Sequence, residues 1–180
     1  MEIIKLIALL LGSALLFTCC SSASMPNLSY QKKSFRAHIF WETPNISVGA
    51  ILTSIAKDEE DTASRIITLE FTSPENLCGI KVTKSGEDTS VSLDGMQISA
   101  PYAESYLEIA KFFDIEATVK ESSVQELDGV SLNFIRAVSD SGEEYSLHLY
   151  KNSGLPRRIC GTLGNGECTL DVISFEFIPE

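Results

Sequence analysis

Apolar and polar residues alternate from Phe35 onward. Phe35, Ala37, Ile39 and Trp41 fall on one face of an extended chain and Arg36, His38 and Glu42 on the other, with Phe40 the interruption. A period of two predicts a half-buried β-strand, here ended by Pro44. A second strand is expected over 48–57. A third follows in which Ile67, Leu69 and Phe71 alternate with Thr68 and Glu70, and the acidic run Asp58-Glu59-Glu60-Asp61 joins the two as a hairpin. Shorter strands are expected over 77–83 and 89–93, the latter closed by Asp94-Gly95. The period then changes. Over 101–114, Tyr102, Tyr106, Ile109, Ala110 and Phe113 recur at intervals of three and four, the mark of an amphipathic helix, with Pro101 at its start and Lys111 in its last turn.

After the helix, strands are predicted over 130–138, 145–150, 157–161 and 168–178, joined by Asp140-Ser141-Gly142 and Asn152-Ser153-Gly154. In the last strand Leu170 and Val172 face one way and Ile173, Phe175 and Phe177 the other, so both faces are expected to be covered, by packing or by a cavity. Strands on either side of one helix predict a sheet-dominated α+β domain.

The N-terminus carries a different pattern. Lys5 precedes an apolar stretch from Leu6 to Phe17 that runs into Cys19-Cys20-Ser21-Ser22. The stretch is shorter than the ~20 apolar residues of a spanning helix and fits an export signal. Its position resembles the bacterial lipoprotein signal, in which a cysteine becomes the acylated first residue, so Cys19 or Cys20 is the candidate for lipidation. Ordinary cleavage around Ser21 and Ala23 is the alternative. Residues 1–19 are read as signal and 20–30 as a Ser-rich tether, with 31–180 a single domain. The product is expected to be extracytoplasmic and held at a membrane of the bacterial cell envelope.

The net charge of −11 argues against nucleic acid as partner and against adhesion to anionic lipid through a basic face. Any contact of the folded part with lipid would therefore be an apolar cavity.

Two stretches carry a resemblance to a known family. Phe71-Thr72-Ser73-Pro74-Glu75-Asn76-Leu77-Cys78-Gly79-Ile80 and the 145–158 stretch, with Ser153-Gly154-Leu155-Pro156-Arg157 as strand, turn and strand, look like elements of the LolA/LolB-like lipoprotein carriers and their lipid-binding relatives. The resemblance implies a strongly curved antiparallel sheet, an incomplete barrel closed by one or two helices, whose concave face holds acyl chains. It implies no cofactor. Candidate lining residues are Ile39, Trp41, Leu69, Phe71, Phe134, Phe175 and Phe177, all of types whose ordinary role on a strand is core packing. Two functions are expected from this frame: non-enzymatic binding of a lipid or other hydrophobic molecule, or an envelope interaction module with a filled core that docks another protein.

In an exported chain Cys160 and Cys168 could close a disulfide across a hairpin. A two-residue turn at Asn165-Gly166 would set Cys160 against Asp171, and direct pairing needs the turn centred on Gly164. Cys78 is then expected as a small buried apolar residue. His38 and His148, the only histidines, lie in expected strands outside any metal or nucleophile motif, and the Gly161 to Gly166 cluster lacks the strand-to-helix setting of a phosphate cradle. Asp58 to Asp61 lacks the spaced ligands of a calcium loop. Neither catalysis nor a bound metal is expected.

Overall fold

The computed structural model describes residues 28, 30–56, 65–164 and 166–179. Cys19, Cys20, the tether through residue 27 and the Asp58 to Asp61 run lie outside the described residues. Eleven strands are present among the described residues: β1 (Phe35–Thr43), β2 (Ile46–Ile55), β3 (Ile66–Ser73), β4 (Lys81–Ser85), β5 (Asp88–Leu93), β6 (Met96–Ser99), β7 (Thr118–Leu127), β8 (Val130–Val138), β9 (Glu144–Tyr150), β10 (Pro156–Leu163) and β11 (Gly166–Phe177). They form one sheet in the order β6-β5-β4-β3-β2-β1-β11-β10-β9-β8-β7, with all ten neighbouring pairs antiparallel. This is the curved, sheet-dominated α+β fold expected, an incomplete barrel with β6 and β7 as its free edges.

The topology explains where the helix lies. The chain lays down two meanders, β1 to β6 and β7 to β11, and zips them together at β1 and β11. To pass from the β6 edge to the β7 edge it must cross the hollow face, and helix Pro101–Phe113 makes that crossing. The alternating inward residues of β1, β2, β3, β9, β10 and β11 meet it there as one buried cluster that includes Ile39, Trp41, Leu52, Leu69, Phe71, Leu147, Ile159 and Leu170. Against them the helix sets Ala103, Leu107, Ile109, Phe112 and Phe113.

The helix is wound as a 3-10 helix, three residues per turn rather than 3.6. The tighter winding rotates the buried stripe away from the one expected. Ile109 and Phe113 face inward as predicted, but Tyr102 and Tyr106 are exposed while Ala103, Leu107 and Phe112 take the core. A close approach holds the far half of the helix down: a Cβ built on Gly161 of β10 would lie 2.6 Å from Phe112 Cε1 and 2.8 Å from Tyr145 Cδ1. Only glycine leaves room for these two rings.

The final strand corrects a second expectation. Ile39 pairs with Val172 but His38 pairs with Ser174, so Ile173 is a bulge with no residue opposite. One extra residue reverses the alternation beyond it. Phe175 therefore shares the inner face with Leu170 and Val172, stacked on Phe35 at 4.9 Å, and Ile173 turns outward at 65% exposure.

Packing also begins earlier than residue 31. Leu28 and Tyr30 are buried, and Tyr30 wedges its ring against Phe35, Phe113 and Phe175. Arg65 fastens this segment to the sheet by donating to Gln31 O (2.5 Å), Lys33 O (2.6 Å) and Ser54 Oγ (2.7 Å).

The three described cysteines are free. Leu163 pairs with Gly166, so Cys160 stands opposite Thr169 and Cys168 opposite Gly161. Cys160 and Cys168 thus point to opposite faces of the sheet, and the expected disulfide does not form. Cys78 is exposed rather than buried, its thiol donating to Thr72 O at 2.8 Å.

Candidate functional site

The seam between the helix and strands β3 and β4 is the candidate site. Inward alternation along β3 places Ile67 there, and the helix contributes Leu107 and Ala110, so an apolar floor runs between the two elements. Lys84 from β4 and Glu104, Ser105, Glu108, Lys111 and Asp114 from the helix form a polar rim. The resulting groove is open to solvent and has a volume of about 390 Å³, within the range of small-ligand sites. Two ion pairs cross or flank it: Lys84 with Glu104, and Lys111 with Glu108 at 3.9 Å. Only Lys84–Glu104 links the helix to the sheet, since Lys111 and Glu108 both belong to the helix, and a pair this open to solvent contributes ~1 kcal/mol or less.

Behind the groove the hollow is filled. A partly open space next to it, between Phe35, Leu52, Arg65, Ile67, Ala110 and Phe113, measures about 70 Å³, room for a few water molecules and not for a hydrocarbon tail. Aromatic rings lead inward from the surface: Tyr106 meets Phe71 edge-on at 6.1 Å, and Phe71 meets Trp41 at 6.3 Å.

Of the seven residues expected to line a cavity, Ile39, Trp41, Leu69 and Phe71 lie together in the buried inner cluster, and Phe175 packs against it. Phe177 lies next to Phe175 at the rim, ring centroids 5.5 Å apart, half covered by the Lys33 ammonium at 5.1 Å. Phe134 is on the other face. Its neighbours Ile135 and Ala137 point inward, while its own ring lies tilted against that of His148, centroids 5.1 Å apart, the residue paired with it across β8 and β9. The groove residues Ile67, Leu107, Lys84 and Lys111 were not among the expected seven. Ile67 and Lys111 stood out in sequence as strand and helix-end residues, but nothing in the sequence showed that the helix would dock beside β3.

Several titratable groups are perturbed by burial. Burial, reinforced by the Asp114 charge, pushes the Tyr30 hydroxyl far above its ordinary value, and that hydroxyl has no hydrogen-bond partner among the described residues. Burial raises the Cys168 thiol to about 11, and burial with the Glu143 hydrogen bond raises Tyr145 to about 12. His148 is lowered by burial and by Arg158. Its Nε2 lies 3.2 Å from Gln125 Oε1, and its Nδ1 is buried with no partner among the described residues. These groups are scattered over both faces and none sits beside another in nucleophile-and-base geometry. Among the described residues no group of three or more His, Cys, Asp or Glu is placed to hold a metal ion, and no helix is long and apolar enough to cross a membrane.

No protein-family model matches the chain, and no curated protein sequence is significantly similar to it. Solved structures do share its fold. An uncharacterized conserved protein from Thermus thermophilus superposes with a TM-score of 0.53 at 13% identity, over 85% of this chain and 84% of that one. MucB, in its complex with MucA, gives 0.51 at 11% identity over 84% of this chain and 53% of MucB, so this chain spans about half of MucB's length. A LolA superfamily protein from Nitrosomonas europaea gives 0.43 at 11% identity, over 85% and 90%. At these identities the likeness to the Thermus thermophilus protein and to MucB is one of fold alone.

Proposed function

We propose that the protein is an extracytoplasmic component of the bacterial cell envelope, tethered through a lipid on Cys19 or Cys20, that binds an amphiphile with an acyl chain and does not transform it. The observation that carries this reading is the helix seam: an apolar floor of Ile67, Leu107 and Ala110 under a rim bearing Lys84 and Lys111, backed by the inner cluster. A tail would lie on the floor with its polar head at the lysines. Each 100 Å² of apolar surface removed from water there contributes ~2.5 kcal/mol. The groove takes part of a chain as it stands, and a longer tail requires the helix to lift from β3 and β4. Solvent extraction and mass spectrometry of the purified protein, with competition against a fluorescent fatty acid, test the reading. Co-purifying lipid and displaceable probe are expected, and a Leu107→Glu variant that folds but releases the probe places it at the seam. Absence of lipid together with absence of probe binding overturns the proposal.

A second reading has its own support. The buried inner cluster packs the hollow, as an interaction module with a filled core would be, and MucB complexed with MucA is a protein assembly built on a related fold. Under that reading the purified chain carries no lipid and acts through its surface.

A further inference from the structure

The two edges of the sheet are built differently. β7 is a ten-residue edge bearing Lys120, Glu121 and Glu126, with a bulge at Lys120 where the pairing shifts between Val119 and Glu121. Charges and bulges are the usual protection of an edge against further pairing. β6 has neither. Its sequence is Met96-Gln97-Ile98-Ser99, uncharged, without proline, and paired in regular register with β5.

Register also settles which of its backbone groups are free. Asp94 (φ 50°) and Gly95 (φ 82°) form a two-residue hairpin turn, so Leu93 and Met96 close it as a hydrogen-bonded pair. By alternation Val91 bonds Ile98, and Ala100 N–H donates to Thr89 O at 2.9 Å. The N–H and C=O groups of Gln97 and Ser99 therefore point away from the sheet. The side chains of Met96 and Ile98 lie on the inner face at 72% and 59% exposure, and Tyr102 and Tyr106 from the adjoining helix are 76% and 57% exposed. Among the described residues nothing pairs with these four backbone groups, which lie beside an exposed apolar shelf, the arrangement a sheet edge presents to an added strand.

We infer that β6 is a docking edge for an extended segment of a partner protein, which pairs in antiparallel or parallel register with Gln97 and Ser99 and lays alternate apolar side chains on the Met96, Ile98 and tyrosine shelf. Charge sets the rest of its chemistry. The chain carries −11 overall, and Glu87, Asp88 and Asp94 flank the β5–β6 hairpin, so the segment that fits is apolar at alternate positions and basic between them. This inference does not depend on whether the hollow takes a lipid.

The test uses the full chain and a synthetic peptide, Lys-Val-Lys-Val-Thr-Val-Lys-Val-Lys, with a scrambled isomer that breaks the alternation and a version with Glu for Lys. Binding is followed by fluorescence anisotropy, and the site is located by hydrogen exchange at the Gln97 and Ser99 amides. The alternating basic peptide is expected to bind and slow exchange at both amides, and the other two peptides to bind about tenfold more weakly or worse. Gln97→Pro removes an outward N–H without breaking the β5 ladder and should lower affinity about tenfold. Ile98→Asp, with folding checked by circular dichroism, should do the same through the shelf. Equal binding of the scrambled peptide, or unchanged exchange at Gln97 and Ser99, overturns the inference. So does a dimer in sedimentation that Gln97→Pro disperses, which would make the occupant a second copy, and so does binding to zwitterionic vesicles lost with Ile98→Asp, which would make it a membrane.

Discussion

Gly161→Ala probes the contact that seats the helix. The added Cβ would stand 2.6 Å from Phe112 Cε1 and 2.8 Å from Tyr145 Cδ1, well inside van der Waals contact, and both atoms belong to rings packed from the helix and from β9. Neither ring has a flexible end that can swing aside. Relief requires Phe112 and its half of the helix to rise, and overpacking of this kind costs between about 1 and 3 kcal/mol. For a domain of this size each kcal/mol lowers Tm by about 2 to 4 °C, so thermal unfolding by circular dichroism should drop by between about 2 and 12 °C. Phe112→Leu trims the clashing ring, and the double variant should therefore be more stable than the two single losses added together, by between about 0.5 and 3 kcal/mol. A Gly161→Ala protein as stable as the parent, or a double variant whose losses simply add, refutes the reasoning that this glycine exists to let the helix approach.

Other consequences follow from individual buried groups. Tyr30→Phe removes a buried hydroxyl that has no partner among the described residues, and chemical denaturation should show a gain of about 1 kcal/mol; a loss of similar size would mean the hydroxyl is bonded. The folded state lowers the His148 pKa from 6.5, so below about pH 6.5 the unfolded chain takes up the proton first and stability falls with pH, the loss being complete beneath the folded value. Denaturation midpoints of His148→Gln between pH 7 and 5 should accordingly fall less steeply than those of the parent, and parallel slopes would contradict the assignment. A thiol reagent should modify exposed Cys78 in the native protein well before buried Cys168, whose thiol burial raises to about 11. Unfolding without reductant should then expose Cys160 and Cys168 as two free thiols, and a mass lower by two hydrogens would restore the disulfide.

The sequence carried the central strands and missed the outer ones for a physical reason. β1, β3 and β8 to β11 bury one face, and burial writes itself into the chain as alternation. β6 and β7 are edges with little apolar burial, held mainly by hydrogen bonds to one neighbour: Met96–Ser99 alternates over only four residues, too short to stand out, and Thr118–Leu127 shows no such pattern. Turn chemistry was the available signal: Asp128-Gly129 between β7 and β8 has the same left-handed pair, φ 52° and 77°, as the recognised Asp94-Gly95. The direction of Phe175 was hidden because a bulge at Ile173 has no signature in apolar periodicity, and the inward stripe of the helix shifted because 3-10 winding is imposed by packing rather than by propensity. The inner residues Ile39, Trp41, Leu69 and Phe71 were legible as a face of alternating strands. That the groove beside them is formed by Ile67 with Leu107 and Ala110 depends on where the helix docks, which is a long-range contact that local pattern does not encode.

Trp41 is the single tryptophan of the chain, buried on the inner face and connected to the surface through Phe71 and Tyr106. Titration with a fatty acid brominated along its tail reads contact with that ring directly. An acyl chain that enters at the helix seam and reaches the inner cluster as the helix lifts predicts saturable quenching at one ligand per chain, reduced by Leu107→Glu. Unquenched Trp41 emission in the presence of excess brominated fatty acid would contradict it.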